Sequence, residues 1–266
     1  MTETPTPPPS SPPSCASFEE LQTNLAAVQR RIAAAAERVG RDAAEVRLLP
    51  VTKTLDDQRI EWAARAGVQL VGENKAQEAR SKQDLFERLD LRWAMIGHLQ
   101  TNKVRNVVGS VVELHSLDRL ELAEKLDRRL QTSGESLDVF IQVNSSGEQS
   151  KFGLEPDEVL GFARSILPMH SLRVRGLMTL ATNSTDREVV ARCFETMVEL
   201  RERLRDELPD PERYAELSMG MSGDYELAVE HGATTVRVGQ GIFGARPTPD
   251  SHYWPPEVAS PEDRQP

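Results

Sequence analysis

The sequence predicts an α/β fold, a single (β/α)8 barrel preceded by an extra N-terminal helix. Three observations carry that expectation. Eight short apolar runs alternate with helical or mixed polar segments, which implies parallel strands joined by crossovers. The length of 266 residues suits one such barrel. The prolines crowd at the two ends, six of the 17 within residues 1 to 14 and six within 246 to 266, leaving a Pro-poor body between them. Residues 1–16 and 246–266 therefore read as disordered Pro-rich tails around a barrel over 17–245. A doubly wound open sheet is the alternative arrangement, and no internal repeat decides between them.

The body opens on Ser17-Phe18-Glu19-Glu20, a capping box. Phe18, Leu21, Leu25, Val28, Ile32 and Val39 then recur at helical spacing up to Gly40, predicting an amphipathic helix over 17–39 that could cover the barrel's flank or a partner. Strands are expected at 46–52, 69–72, 92–96, 111–115, 138–143, 173–180, 215–218 and 234–238. Pro50 is out of place in the first, because proline removes a ladder donor. The clearest helix between strands runs from Asp186 to Leu204, with Thr185 as its cap, Glu188 completing the box, and a stripe from Val189 to Leu204 that includes Cys193.

Composition excludes several classes of function. Hydrophobic residues make up 38% and no window is apolar enough to span a bilayer. With 42 acidic against 32 basic residues, a formal charge of -10 and no dense basic stretch, the chain is not expected to bind nucleic acid. Two cysteines make no disulfide framework, and with no secretory or transit pattern at the N-terminus a cytoplasmic location is expected. Cys15 reads as an exposed tail thiol and Cys193 as core. His98 and His115, after the third and fourth strands, have no second ligand at metal spacing and read as satisfied loop histidines. No metal site is expected.

In a barrel, chemistry sits at the C-terminal ends of the strands. Parity puts Leu49, Val51 and Lys53 on one face, so Lys53 ends the first strand above an apolar layer. Desolvation there favours a neutral amine that can condense with a carbonyl, giving a Schiff base; a lysine snorkelling to solvent is the plainer reading of this feature alone. The last strand shifts the balance. Arg237 and Gly239 share a face, and Gly239-Gln240-Gly241-Ile242-Phe243-Gly244 follows at once. This G-x-G-x-x-G is not a dinucleotide fingerprint, since the 22 residues after it are Pro-rich and hold no second βα unit. It reads instead as a close backbone approach to a phosphate, and so does the loop Leu217 to Asp224, with a helix expected to begin near Ser222. An amine, an arginine and two phosphate cradles describe a pocket for a phosphorylated aldehyde.

At these residues the chain closely resembles the pyridoxal phosphate homeostasis proteins, the YggS/PROSC family. The likeness runs through Val51-Thr52-Lys53-Thr54, Gly72-Glu73-Asn74, Ile96 to Gln100, Asn102-Lys103, Gln142-Val143-Asn144, Lys151 to Leu154, Gly176 to Thr179, Leu217 to Asp224 and Val236 to Gly244. It implies a barrel of the alanine racemase N-terminal domain type that binds pyridoxal 5'-phosphate (PLP). Lys53 would form the Schiff base and Arg237 would face the pyridine nitrogen. Ser218, Ser222, Gly239 and the Gln240 N–H would surround the phosphate, with Asn74 beside the ring. The sequence departs from the family pattern at Pro50, Leu55-Asp56 and Gln240. An arginine at the ring nitrogen weakens the electron sink, and no tyrosine is evidently placed as a second base. The implied role is therefore a monomeric or weakly dimeric carrier or buffer in PLP homeostasis, with apo PLP-dependent enzymes as recipients. A weakly active amino-acid racemase is the alternative. A cofactor-free barrel aldolase acting through Lys53 would need an acid/base that the loops do not identify, and a plain interaction scaffold would leave Lys53 and Arg237 unexplained.

Overall fold

The computed structural model describes residues 12–245. Most of the two expected tails, 1–11 and 246–266, lies outside the described residues. The eight expected strands are all present: β1 (Arg47–Pro50), β2 (Leu70–Glu73), β3 (Arg92–Met95), β4 (Glu113–Leu117), β5 (Leu137–Val143), β6 (Leu172–Thr179), β7 (Glu216–Ser218) and β8 (Thr235–Val238). They form one parallel sheet in the order β1-β8-β7-β6-β5-β4-β3-β2. The sheet curls into a barrel, and β1 meets β2 through a bridge between Val51 and Gly72, where the Thr52 N–H donates to the Gly72 carbonyl at 3.0 Å.

Pro50 fits this seam. Val51 donates to the Val238 carbonyl, so alternation turns the position of Pro50's missing donor toward β2. No ladder joins β1 and β2 at that level, only the bridge one residue on. The proline therefore costs no hydrogen bond there.

Helices α1 (Phe18–Arg38), α2 (Asp57–Arg65), α3 (Ala76–Ser81), α4 (Gln83–Arg88), α5 (Leu120–Ser133), α6 (Val159–Ile166), α7 (Arg187–Glu207), α8 (Tyr225–Glu230) and α9 (Gln240–Phe243) surround the strands. Ser17 caps α1 as expected, accepting from the Glu20 N–H at 3.2 Å. Glu20 does not close the box on Ser17 but takes the Ala16 N–H and the Ser14 hydroxyl. Leu21, Leu25, Val28 and Ile32 bury one face of α1. Its opposite contacts settle what it covers: Arg31 pairs with Glu226, Arg38 with Glu230 at 2.7 Å, and Asn24 donates to the Ile242 carbonyl, so α1 lies on the flank of its own barrel against α8 and α9.

Other expectations are corrected. The cap of α7 is Asp186, whose side chain accepts from the Glu188 N–H, not Thr185; an aspartate one residue later offers a stronger acceptor to the same end. The helix after β7 begins at Tyr225 behind Asp224, not near Ser222. Cys15 is buried, not an exposed thiol, because the chain around it runs against Gly244 and Arg59 donates to its carbonyl. Cys193 is core, as expected. No helix among the described residues is long and apolar enough to cross a membrane, and no group of three ligands there could hold a metal ion.

Candidate functional site

The strands' C-terminal ends gather most of the expected site residues at one mouth. Lys53 follows β1 and is half-buried. Asn74 follows β2, also half-buried, and is pressed from behind by the loop after β3: a Cβ on Gly97 would sit 2.1 Å from the Asn74 carbonyl oxygen and 2.6 Å from its Oδ1. Only glycine permits that approach. Gly239 and Gln240 open α9 directly above β8, where a Cβ on Gly239 would come within 3.3 Å of the Val51 carbonyl. Ser222 lies beside them, its Oγ accepting from the Gly241 N–H at 3.4 Å. The loops after β7 and β8 are therefore tied together.

Arg237 points into the barrel and is 3% exposed. Its Nη1 donates to Ser218 Oγ at 2.6 Å and its Nη2 to the Thr179 carbonyl at 2.7 Å. Burial pulls its pKa down to about 10, against the pull of Asp224, so the guanidinium stays protonated at neutral pH.

Beneath Arg237 runs a polar chain that the sequence did not announce. Ser218 Oγ lies 2.9 Å from His115 Nδ1, His115 Nε2 lies 2.8 Å from Glu113 Oε2, and Arg47 grips both oxygens of Glu113 at 2.5 and 2.8 Å. His115 is not a loop residue; β4 begins two residues later than expected and carries it, fully buried and packed 4.2 Å from Phe140. Burial lowers the His115 pKa from 6.5 to about 4, so the ring is neutral. Burial pushes the Glu113 carboxyl up, but hydrogen bonds from His115 and Arg47 outweigh it and bring the pKa to about 2.

These protonation states give the chain one direction. A neutral imidazole that donates from Nε2 to the Glu113 carboxylate must accept at Nδ1. Ser218 therefore gives its proton to His115 and accepts from Arg237. Its single donor is committed to His115 while its oxygen accepts from Arg237, so Ser218 holds Arg237 in place. His98 is the satisfied loop histidine expected, stacked on Phe152 at 3.9 Å with Nδ1 3.2 Å from Asp118.

The chain also sets a pH dependence. The folded state keeps His115 neutral while the unfolded chain protonates it near its ordinary value, so the unfolded state binds the extra proton between about pH 6.5 and 4. Stability present above that window is lost as pH falls through it, by about 3 kcal/mol in total, and Glu113 extends the loss further down. Urea midpoints are expected to drop steadily from about pH 7 to about pH 4. A flat midpoint across that range contradicts a neutral buried His115.

Comparison with known proteins agrees with this architecture. The family described as alanine racemase, N-terminal domain, matches residues 23–247. A pyridoxal phosphate homeostasis protein of Aquifex aeolicus (strain VF5) is 40% identical over 226 residues, covering 84% of this chain and 96% of that one. Among solved structures, an unknown protein from Bifidobacterium adolescentis superposes with a TM-score of 0.81 at 38% identity, covering 86% of this chain and 97% of that one. PipY of Synechococcus elongatus PCC7942, solved with PLP bound, gives a TM-score of 0.74 at 31% identity, covering 84% of this chain and 100% of that one. With eight parallel strands, a matching domain and relatives aligned over nearly their whole length, this chain belongs to the pyridoxal phosphate homeostasis family, built on the alanine racemase N-terminal domain.

Proposed function

We propose that the chain holds PLP as a Schiff base on Lys53 and serves cofactor homeostasis as a carrier or buffer, not as a dedicated catalyst. The observation that carries this reading is a buried, protonated guanidinium on β8, paired side by side with the strand that presents Lys53. The site's donors fit the group: an amine for the aldehyde, Ser222 and the Gly239–Gln240 backbone for a phosphate, Asn74 for the ring edge. PipY of Synechococcus elongatus PCC7942, solved with PLP bound, supports the same cofactor here.

Bound at this mouth, PLP supplies an aldehyde that condenses with primary amines and a pyridine ring that can withdraw electrons. Arg237 decides how far that withdrawal goes. Held by Ser218 and Thr179, it would donate to a ring nitrogen placed against it and, having no proton to release at neutral pH, would oppose protonation of the ring. Among the described residues, tyrosine bases are also poorly placed. Tyr225 is buried with its pKa pushed up to about 12, near Arg31 of α1, and Tyr214 precedes β7 at the other end of the strands. Both facts favour holding and release over turnover, with apo PLP-dependent enzymes in the cytoplasm as the recipients.

The test is the visible spectrum of the protein loaded with PLP, before and after borohydride, with peptide mapping of the reduced sample and turnover assays on free amino acids. A bleaching band that leaves a pyridoxyl-phosphate mass on Lys53, with negligible turnover, is the expected result. Failure to load sinks the reading, and sustained racemisation converts the carrier into an enzyme.

A further inference from the structure

A second buried cluster grips the backbone on both sides of Lys53. Lys82, between α3 and α4, is 8% exposed, and its Nζ donates to the Thr52 carbonyl, Glu73 Oε1 and Glu78 Oε1, each at 2.9 Å. An ammonium has three protons, and all three are directed. Glu73, fully buried at the end of β2, also accepts from the Thr52 hydroxyl at 2.7 Å. Glu78 accepts from the Thr54 N–H. The residue before Lys53 and the residue after it thus converge on the same three side chains.

Thr54 gives this grip its purpose. Its φ is +63°, a left-handed conformation that a β-branched residue adopts only when its surroundings impose it. The imposed turn sets the direction in which the Lys53 side chain leaves the backbone. A tie meant only to join β1 to β2 would need Thr52, Glu73 and Lys82; it would not need Glu78 to reach the Thr54 N–H.

We infer that Glu78, supported by Lys82 and Glu73, is a positioning residue for Lys53, holding the 52–54 turn so that the amine is presented to an incoming aldehyde. This rests on Lys53 being the attachment point. The test is carried out on the full chain, with PLP as the probe, comparing the parent with Glu78→Ala, Glu78→Gln and Glu78→Asp. Rate of appearance of the borohydride-reducible band, apparent affinity and the pH midpoint of the band are read, alongside melting temperature.

Loss of a charge-assisted acceptor predicts that Glu78→Ala slows attachment and weakens affinity by roughly tenfold and moves the pH midpoint. Gln, which keeps a carbonyl acceptor for Thr54, recovers most of the loss. Asp keeps the charge and spares the fold but withdraws the acceptor from Thr54, so it slows attachment in the same direction even where Ala proves unstable. Parental rates and pH midpoints in folded Ala or Asp variants overturn the inference while leaving Lys53 in its role. A parent that never acquires the band overturns both.

Discussion

Lys53→Ala is expected to abolish covalent retention of PLP altogether while leaving the barrel folded. The residue lies beyond the last ladder residue of β1, so its truncation leaves the backbone pairing of the strand intact. Residual binding through Arg237 and the phosphate loops would remain, but dialysis or gel filtration would strip the cofactor from the variant and not from the parent. The measurement is borohydride reduction followed by peptide mapping. The neighbouring amine of Lys82 already donates to three acceptors and is a poor nucleophile. A pyridoxyl-phosphate mass that persists in the variant, on Lys82 or elsewhere, would refute the assignment.

Arg237→Glu should change the chemistry more than the binding. A carboxyl group in place of the guanidinium would let the pyridine nitrogen keep a proton, deepening the electron sink. Exchange of the α-proton of an added amino acid is then expected to rise by about tenfold or more, equivalent to about 1.4 kcal/mol or more off the barrier. The substitution also leaves the Thr179 carbonyl and Ser218 without their donor, a cost of about 1–3 kcal/mol for each orphaned buried group. PLP binding is therefore measured first, by titration, and exchange second, by NMR in deuterated buffer. A variant that binds PLP yet exchanges no faster than the parent refutes the assignment of Arg237 as the group that weakens the electron sink.

The place of Lys53 just after β1 and the inward face of Arg237 on β8 were legible in the sequence because strand parity is local: alternate residues share a face whatever the strand pairs with. The barrel was legible for a similar reason, since eight apolar runs and the segments between them need no partner to be seen. His115, Ser218 and Glu113 were not. Ser218 lies 103 positions from His115, and only the closed barrel brings β4 and β7 to opposite sides of one interior layer. The same residue types in the same order would read as an ordinary loop histidine, a phosphate serine and a surface glutamate. The Lys82 cluster was hidden for another reason: its residues come from the end of β2, from α3 and from the junction before α4, and the strain they hold at Thr54 is a backbone angle, which composition does not encode. Cys15 was misjudged because proline-rich neighbours suggested a solvated tail, whereas contacts with Gly244 and Arg59 come from distant parts of the chain.

The seam between β1 and β2 has a consequence for how the barrel breathes. β1 and β2 are the two ends of the sheet order, and the bridge between Val51 and Gly72 joins them with side chains beside it. Thr52, Glu73 and Lys82 act as a polar zip across it. Backbone ladders break cooperatively, but a zip of three side chains can part on its own, making this seam the point where sub-global opening starts. Parting there would carry the Lys53 turn with it, so opening of this seam and reorientation of Lys53 would be one motion.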